Sequence, residues 1–377
     1  MDIYDKALER HKEWKGKIST YVKSIVQNKE DLSLAYTPGV AAPCKEIANN
    51  PETLYDYTIK GNTIAIVSDG SAVLGLGNIG PYAALPVMEG KAVLFKEFAD
   101  LNAFPICLNT QDSEEIIRTI INIAPVFGGI NLEDISAPRC FYIEKRLKEA
   151  LNIPVFHDDQ HGTAIVVLAG IINALKLVNK QAKACKVVIN GAGAAGIAIA
   201  KLLIGYGFER IVLCDIKGAI YEGAQWLNEE QSLMALKTNP KNETGDLRRV
   251  IAQADIFIGV SAPNVVDEQM IQSMNTDAVV FAMANPVPEI LPEKAKAAGA
   301  KIVGTGRSDY PNQVNNVLAF PGIMKAAVKW RKQITDEVKM EAAKALAAFI
   351  EPEELSVDKI LPYPFEKGIA DHIASAV

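Results

Sequence analysis

The chain has 377 residues, 49% of them hydrophobic and 22% charged, with a formal net charge of -6. That length and balance suit two globular domains with sizeable cores, and the negative charge without a basic tract argues against a nucleic-acid binder. The five cysteines form no CxxC pair, and neither an amino-terminal signal pattern nor an uninterrupted apolar span of about 18 residues is present, so reduced thiols in a cytoplasmic, membrane-free protein are expected.

Residues 2–30 mix lysine and glutamate with Ala7, Leu8, Trp14, Ile18, Tyr21, Val22, Ile25 and Val26, which predicts helical pieces broken near Gly16. Standing before the first domain, this segment either contacts a second subunit or packs on its own domain. Tyr36-Thr37-Pro38-Gly39 then sets an aromatic hydroxyl ahead of a restrained turn. Residues 62–67 predict a strand leading into a loop crowded with Gly70, Gly75, Gly77 and Gly80. Gly75-x-Gly77-x-x-Gly80 has the spacing of a nucleotide loop. No carboxylate closes the following apolar run at the required distance, so the loop is read as a substrate-side turn packed against the other domain. Lys91 precedes that run, residues 92–95, which is read as a strand. A lysine there is either a surface residue laid along apolar neighbours or a desolvated base with a lowered pKa. Residues 104–108 predict another strand and 112–124 a helix started by Asp112 or Ser113.

The densest chemistry follows. Glu133 and Asp134 come directly after a short apolar strand, and Asp158 and Asp159 come after another, residues 153–156, with an amphipathic segment over 138–151 between them. Strand, helix, strand with acids at both strand ends brings those acids to the carboxyl edge of a parallel sheet. Three or four converging oxygens suit Mg²⁺ or Mn²⁺; the alternative is capping of loop backbone. His157 and His161 lack the helical H-E-x-x-H pattern of a zinc site and are expected in a loop, as support or at a helix start. The apolar segment 164–177 is expected to be a buried helix bridging a first domain, 1–162, to a second, 163–377, with a composition break at 178–184.

In the second half, residues 186–190 form an apolar strand, Gly191-Ala192-Gly193-Ala194-Ala195-Gly196 opens a helix to about Tyr206, and a second strand ends on Asp215. This is the dinucleotide-binding order: the first glycine for the turn, the second for approach of the pyrophosphate, the third for helix packing, with free amides at the helix start. Asp215 suits the ribose hydroxyls of NAD and repels a 2′-phosphate, while Lys217 pulls toward NADP; NAD is the expected cofactor. Residues 228–245 read as irregular. Strands at 255–260 and 278–283 end in polar loops carrying Asn264 and Asn285, placed to touch cofactor or substrate, and 299–305 is a further strand. Asn315 and Asn316 either cap backbone groups or bind a carboxylate. Helices with a break near 333–337, then proline-broken turns and a terminal helix, complete an α/β fold: a parallel-sheet amino-terminal catalytic domain, a Rossmann-type domain and carboxyl-terminal helices.

YTPGV at Tyr36, GLGNIG at Gly75, INLEDI at Glu133, FHDDQHGTAIVVLAG from Phe156 and NQVNNVLAFPG from Asn312 together resemble the malic enzymes, notably the short bacterial form, over nearly the whole chain. The resemblance implies oxidative decarboxylation of malate to pyruvate and CO₂ with NAD(P) and Mg²⁺ or Mn²⁺. It assigns Lys91 as base, Tyr36 as acid, Asp158 as a carboxylate beside Lys91, and Glu133, Asp134 and Asp159 as ion ligands. It also places Asn285 and Asn316 on malate and Asn315 near the cofactor ribose, and implies a homodimer or larger homo-oligomer. The chain departs from larger members at Ala72, where they carry a substrate-binding arginine. Competing readings are a malate-to-lactate enzyme that retains its cofactor, a metal-independent hydroxy-acid or amino-acid dehydrogenase, and a non-enzymatic nucleotide sensor.

Overall fold

The computed structural model describes residues 2–377 apart from Leu74. Two sheets carry the fold. The first contains β1 (Thr63–Ser68), β2 (Asn102–Cys107), β3 (Gly129–Leu132) and β4 (Val155–His157), all parallel, in the order β2-β1-β3-β4. The second contains β5 (Lys186–Asn190), β6 (Arg210–Asp215), β7 (Gly218–Ala219), β8 (Ile256–Gly259), β9 (Val279–Ala282) and β10 (Ile302–Thr305). Their order is β10-β9-β8-β5-β6-β7, parallel except for the short β7.

Alternation along the strands builds the cores. In β1, Ile64 and Ile66 face one cluster while Ala65 and Val67 face another; in β5, Val187 and Ile189 oppose Val188. The central cluster joins both sheets through two helices, Asp158–Val178 and Phe320–Trp330. The first of these is the only helix among the described residues long and apolar enough to cross a membrane, and 72% of its most apolar window is buried, as a core helix should be. It runs through position 162, so most of the passage from the first sheet to the second is made inside this helix, and residues 179–185 complete it.

Several expectations change. Residues 92–95 are not a strand: they lie in the helix Gly80–Ala99, whose buried stripe is Ala84, Met88, Lys91, Ala92, Phe95 and Ala99. A four-residue apolar run is compatible with either period, and the longer stripe decides for the helix. His157 ends β4 and His161 lies within the following helix, so the pair is not in a loop; Asp158 and Asp159 form that helix's first turn, where the backbone dipole favours negative charge. Residues 228–245 contain the helix Glu229–Ala235, started by an Asn228–Gln231 capping box. The amino-terminal segment holds one helix before Gly16, Ile3–Trp14, with no regular element until Lys29. All five cysteines are free; Cys44 is exposed, Cys107 half-buried and the other three buried. The terminal helix Ile369–Ala376 packs close to Phe320–Trp330, where Gly322 leaves room for Ala370 and Ile373.

Candidate active site

Both sheets reverse their winding direction where chemistry is expected. In the first, β1 lies between β2 and β3, a topological switch point at the carboxyl edge. The loops leaving β1 and β3 are tied together there by Ser136 N donating to Ser71 Oγ at 2.9 Å and Arg139 pairing with Asp69 at 2.8 Å. Glu133 follows β3 there, its amide donating to Val67 O at 2.9 Å. Asp134 has a left-handed backbone, φ +55°, and its carbonyl accepts from Ala72 N at 2.9 Å. Asp158 and Asp159 enter from β4, and Lys91 enters from the buried stripe of the helix Gly80–Ala99.

These side chains form one cluster. Lys91 Nζ lies 2.5 Å from Asp158 Oδ2 and 2.8 Å from Glu133 Oε1, and 4.1 Å from the centre of the Phe320 ring. Asn316, from the second half of the chain, donates from Nδ2 to Asp158 Oδ2 at 2.5 Å. Asp134 N donates to Asp159 Oδ2 at 2.8 Å, and Asn131 Nδ2 to Glu133 Oε2 at 2.8 Å. Four carboxylates thus surround one ammonium, an arrangement short of positive charge. Burial pushes Glu133 well above the ordinary carboxylate range despite Lys91, and pushes Asp158 up as well. Burial and then Asp159 push Asp134 up to about 7. The lowered lysine pKa suggested by sequence is overturned: burial does pull Lys91 down, but Asp158 and Glu133 outweigh it and raise the amine above its ordinary value.

One ligand atom from each of Glu133, Asp134 and Asp159 lies within 4.8 Å of the others. Asp134 Oδ2 is buried without a hydrogen-bond partner. Three hard oxygens, one of them orphaned, fit a divalent Mg²⁺ or Mn²⁺ ion and offer nothing soft for zinc. Gly162 belongs to the same design, since a Cβ there would stand 1.8 Å from Asp158 Oδ1.

The glycine turn after β5 shows three different constraints. Gly191 has φ +116° and its missing Cβ would meet Val260 O at 2.4 Å; a Cβ on Gly196 would meet Gly191 O at 1.8 Å. Gly193 faces open space within 4 Å and precedes the helix Ala194–Tyr206, whose start has no side-chain cap. That open, uncapped helix start fits a pyrophosphate. Ala192, Ala194 and Ala195 complete the turn. Asp215 ends β6, one carboxylate oxygen accepting from Lys217 N at 2.7 Å.

Residues 15–148 match the malic enzyme N-terminal domain family and residues 160–377 the malic enzyme NAD binding domain family. The chain belongs to the malic enzyme family. It is 57% identical to the bifunctional malic/malolactic enzyme of Bacillus subtilis (strain 168), covering 100% of this chain and 92% of that protein. It is 56% identical to the NAD-dependent malic enzyme of Geobacillus stearothermophilus, covering 96% and 76%. The NADP-dependent malic enzyme of Escherichia coli (strain K12) is 45% identical over 96% of this chain and 50% of its own length. Among solved structures, the NAD-dependent malic enzyme of Thermotoga maritima superposes with a TM-score of 0.95 at 53% identity, covering 98% of both chains.

Against the family motifs, the structure gathers Lys91, Glu133, Asp134, Asp158, Asp159 and Asn316 into one site. Asn285 sits in the loop after β9 and meets the first half of the chain elsewhere: a Cβ on Gly75 would lie 3.4 Å from Asn285 O. The loop approaches the second sheet's loops at Gly75, whereas Gly77 and Gly80 face open space within 4 Å. Asn315 caps the turn at Val317 N, 2.9 Å away. Tyr36 stands apart, 68% exposed, its hydroxyl without a hydrogen bond among the described residues. Sequence reasoning missed Phe320 over Lys91, although it lies in the NQVNNVLAFPG motif. It also missed Glu289 in ANPVPE, fully buried and accepting from Ser261 N at 2.8 Å and Ala284 N at 3.0 Å beneath the Asn285 loop.

Proposed function

We propose that this chain oxidatively decarboxylates (S)-malate to pyruvate and CO₂, with NAD as preferred acceptor and Mg²⁺ or Mn²⁺ held by Glu133, Asp134 and Asp159. The observation carrying this reading is the buried Lys91, gripped by Asp158 and Glu133 at the edge of the acid cluster. When bound, the ion supplies positive charge for the substrate's C1 carboxylate and C2 oxygen, and the nicotinamide accepts the hydride. With Glu133 turned to the ion, the Lys91 pKa would fall and the ammonium would release its proton to solvent. The neutral amine then takes the C2 hydroxyl proton, and Asp158 steadies the protonated amine that results. Tyr36 returns a proton to C3 after CO₂ leaves. Asn285 and Asn316 hold malate, Asn315 the cofactor ribose, and the Gly191–Gly196 turn the pyrophosphate. Asp215 receives the ribose hydroxyls and disfavours a 2′-phosphate, so NADP is used less well. Exposed apolar side chains of the amino-terminal segment, among them Tyr21, Val22, Ile25 and Leu34 beside Tyr36, support a homodimer in which Tyr36 serves the neighbouring site.

A second reading, conversion of malate to lactate with retained cofactor, is favoured by the name of the Bacillus subtilis relative. Initial rates with malate, Mn²⁺ and either cofactor separate the two. Pyruvate and free NADH in equal amounts, abolished by chelation and restored by Mn²⁺, are expected; lactate without net NADH would select the second reading. Full activity after verified removal of divalent ions would remove the ion assignment. Asp215→Ser should narrow the NAD preference by roughly 1–3 kcal/mol in kcat/KM, and an unchanged ratio would show that another group selects the cofactor.

A further inference from the structure

The chain also holds a hydrogen-bonded row of side chains behind the acid cluster that none of the assigned roles uses. Gln160 Nε2 lies 2.6 Å from His157 Nδ1 and 3.2 Å from Glu144 Oε2. Glu144 Oε1 in turn contacts His161 Nε2 at 2.7 Å and Lys148 Nζ at 2.6 Å. At the inner end, His157 Nε2 lies 3.2 Å from Asp159 Oδ2. His157, Gln160 and Glu144 are each buried, so none finds these partners in solvent.

Donor and acceptor identities give the row a direction. Burial favours the neutral Glu144 carboxyl, but His161 and Lys148 outweigh it and hold the group well below the ordinary carboxylate range. An ionised carboxylate only accepts, so the Gln160 atom facing it must be the amide nitrogen. The same nitrogen faces His157 Nδ1, which therefore accepts, and the imidazole proton sits on Nε2. Burial pulls the ring's pKa down, and Asp159 and Cys140 outweigh it and raise it, but a second proton on Nδ1 would point at the Gln160 N–H. His157 Nε2 lies 3.2 Å from Asp159 Oδ2, but its N–H is poorly aligned with that oxygen and has no other partner among the described residues. Asp159 Oδ2 already accepts from Asp134 N at 2.8 Å, and no hydrogen bond to Oδ1 is present among the described residues.

We infer that Glu144, Gln160 and His157 are positioning residues: they lock the His157 tautomer so that Asp159 Oδ2 is held from behind and Oδ1 is offered to the divalent ion. The inference rests on Asp159 as an ion ligand. Partners of this kind, acting through a ligand without touching the metal, set ligand orientation and typically change metal affinity by about 10–100-fold.

The test reads Mn²⁺ binding by electron paramagnetic resonance in protein free of malate and cofactor. His157→Leu and Gln160→Met should weaken Mn²⁺ binding about 10–100-fold, leaving NAD affinity and the ion-free melting temperature unchanged. His157→Gln, which keeps a side-chain amide donor, should restore most of the affinity. Wild-type affinity in both folded loss variants would overturn the inference. Should those variants fail to fold, ¹⁵N-histidine spectra of the wild-type protein decide it: His157 protonated on Nε2 alone is expected, and a proton on Nδ1 overturns the row. Wild-type protein that binds no Mn²⁺ removes the ion assignment itself. Failure of the row alone leaves wild-type binding intact, so the two failures are told apart.

Discussion

Lys91 carries one positive charge into a space shared with four carboxylates, and only 7% of the residue remains exposed. Lys91→Ala removes both the proposed base and the ammonium that pairs with Asp158 and Glu133. Malate oxidation should fall by about 10²–10⁴-fold or more. Urea unfolding of the ion-free variant should show a loss of about 3–5 kcal/mol, because two buried acids lose their partner. His161 makes a different prediction. Burial pulls its imidazole down to about 4 despite Glu144, so the folded state stays unprotonated where the unfolded chain, near 6.5, already takes a proton. The unfolded state therefore binds more protons between about pH 6.5 and 4. Stability from this group is complete above the unfolded pKa and is lost on acidification, up to about 3 kcal/mol. Unfolding curves at pH 7 and 5 for wild type and His161→Gln check this: the variant should lose part of the pH dependence, and identical slopes would exclude His161 as its source.

The helix Asp158–Val178 does two things at once: its first turn presents Asp158 and Asp159, and its apolar body fills the core between the sheets. Gly162 sits where these tasks conflict. Helix propensity favours alanine there by roughly 0.8–1 kcal/mol, but a Cβ would meet Asp158 Oδ1 at 1.8 Å and the Asn316 Cβ at 3.1 Å. Gly162→Ala should displace the Asp158 carboxylate from Lys91 and lower kcat by about 10²-fold or more, while the protein remains folded by circular dichroism. A variant with wild-type kcat would show that Asp158 can move without consequence. The helix Gly80–Ala99 makes a related compromise, spending one position of its buried stripe on an ammonium instead of an apolar side chain.

Across the whole molecule, the acid cluster belongs to the first sheet and Asn316 and Phe320 to the second half, so the site is complete only when both halves pack. The amino-terminal segment is the part that single-chain packing leaves open: Val22 is 86% exposed, and Tyr4, Leu8, Tyr21, Ile25 and Leu34 are exposed with it. Apolar side chains exposed in this number are costly in water, and a two-fold partner would cover them. Sedimentation at assay concentration should give a dimer or larger assembly, and Tyr21→Asp with Val22→Asp should shift it toward monomer with loss of turnover. An active wild-type monomer would reject the homodimer. Tyr36→Phe should abolish exchange of pyruvate C3 protons with solvent, and mixed dimers carrying Lys91→Ala on one chain and Tyr36→Phe on the other would show which subunit's site Tyr36 serves.

The α/β class, the second sheet's five parallel strands and the dinucleotide turn were legible in the sequence because they rest on local rules: alternating or continuous apolar runs, glycines at fixed offsets, and an acid at a strand end. The two-residue β7 was not. The acids Glu133, Asp134, Asp158 and Asp159 were legible for the same reason, since a parallel strand–helix–strand unit returns both strand ends to one edge. Residues 92–95 were misread because four apolar residues satisfy either period, and only the surrounding stripe from Ala84 to Ala99, set against the core, selects the helix. The charge state of Lys91 was also out of reach. Sequence places it among apolar neighbours, which favours a lowered pKa, whereas the fold brings Asp158, from 67 residues further along, to 2.5 Å. Contacts such as Asn316 to Asp158 and Phe320 over Lys91 join segments with no shared local pattern. Short-range rules place side chains on elements; which charges face each other depends on how those elements pack, and only the tertiary structure decides that.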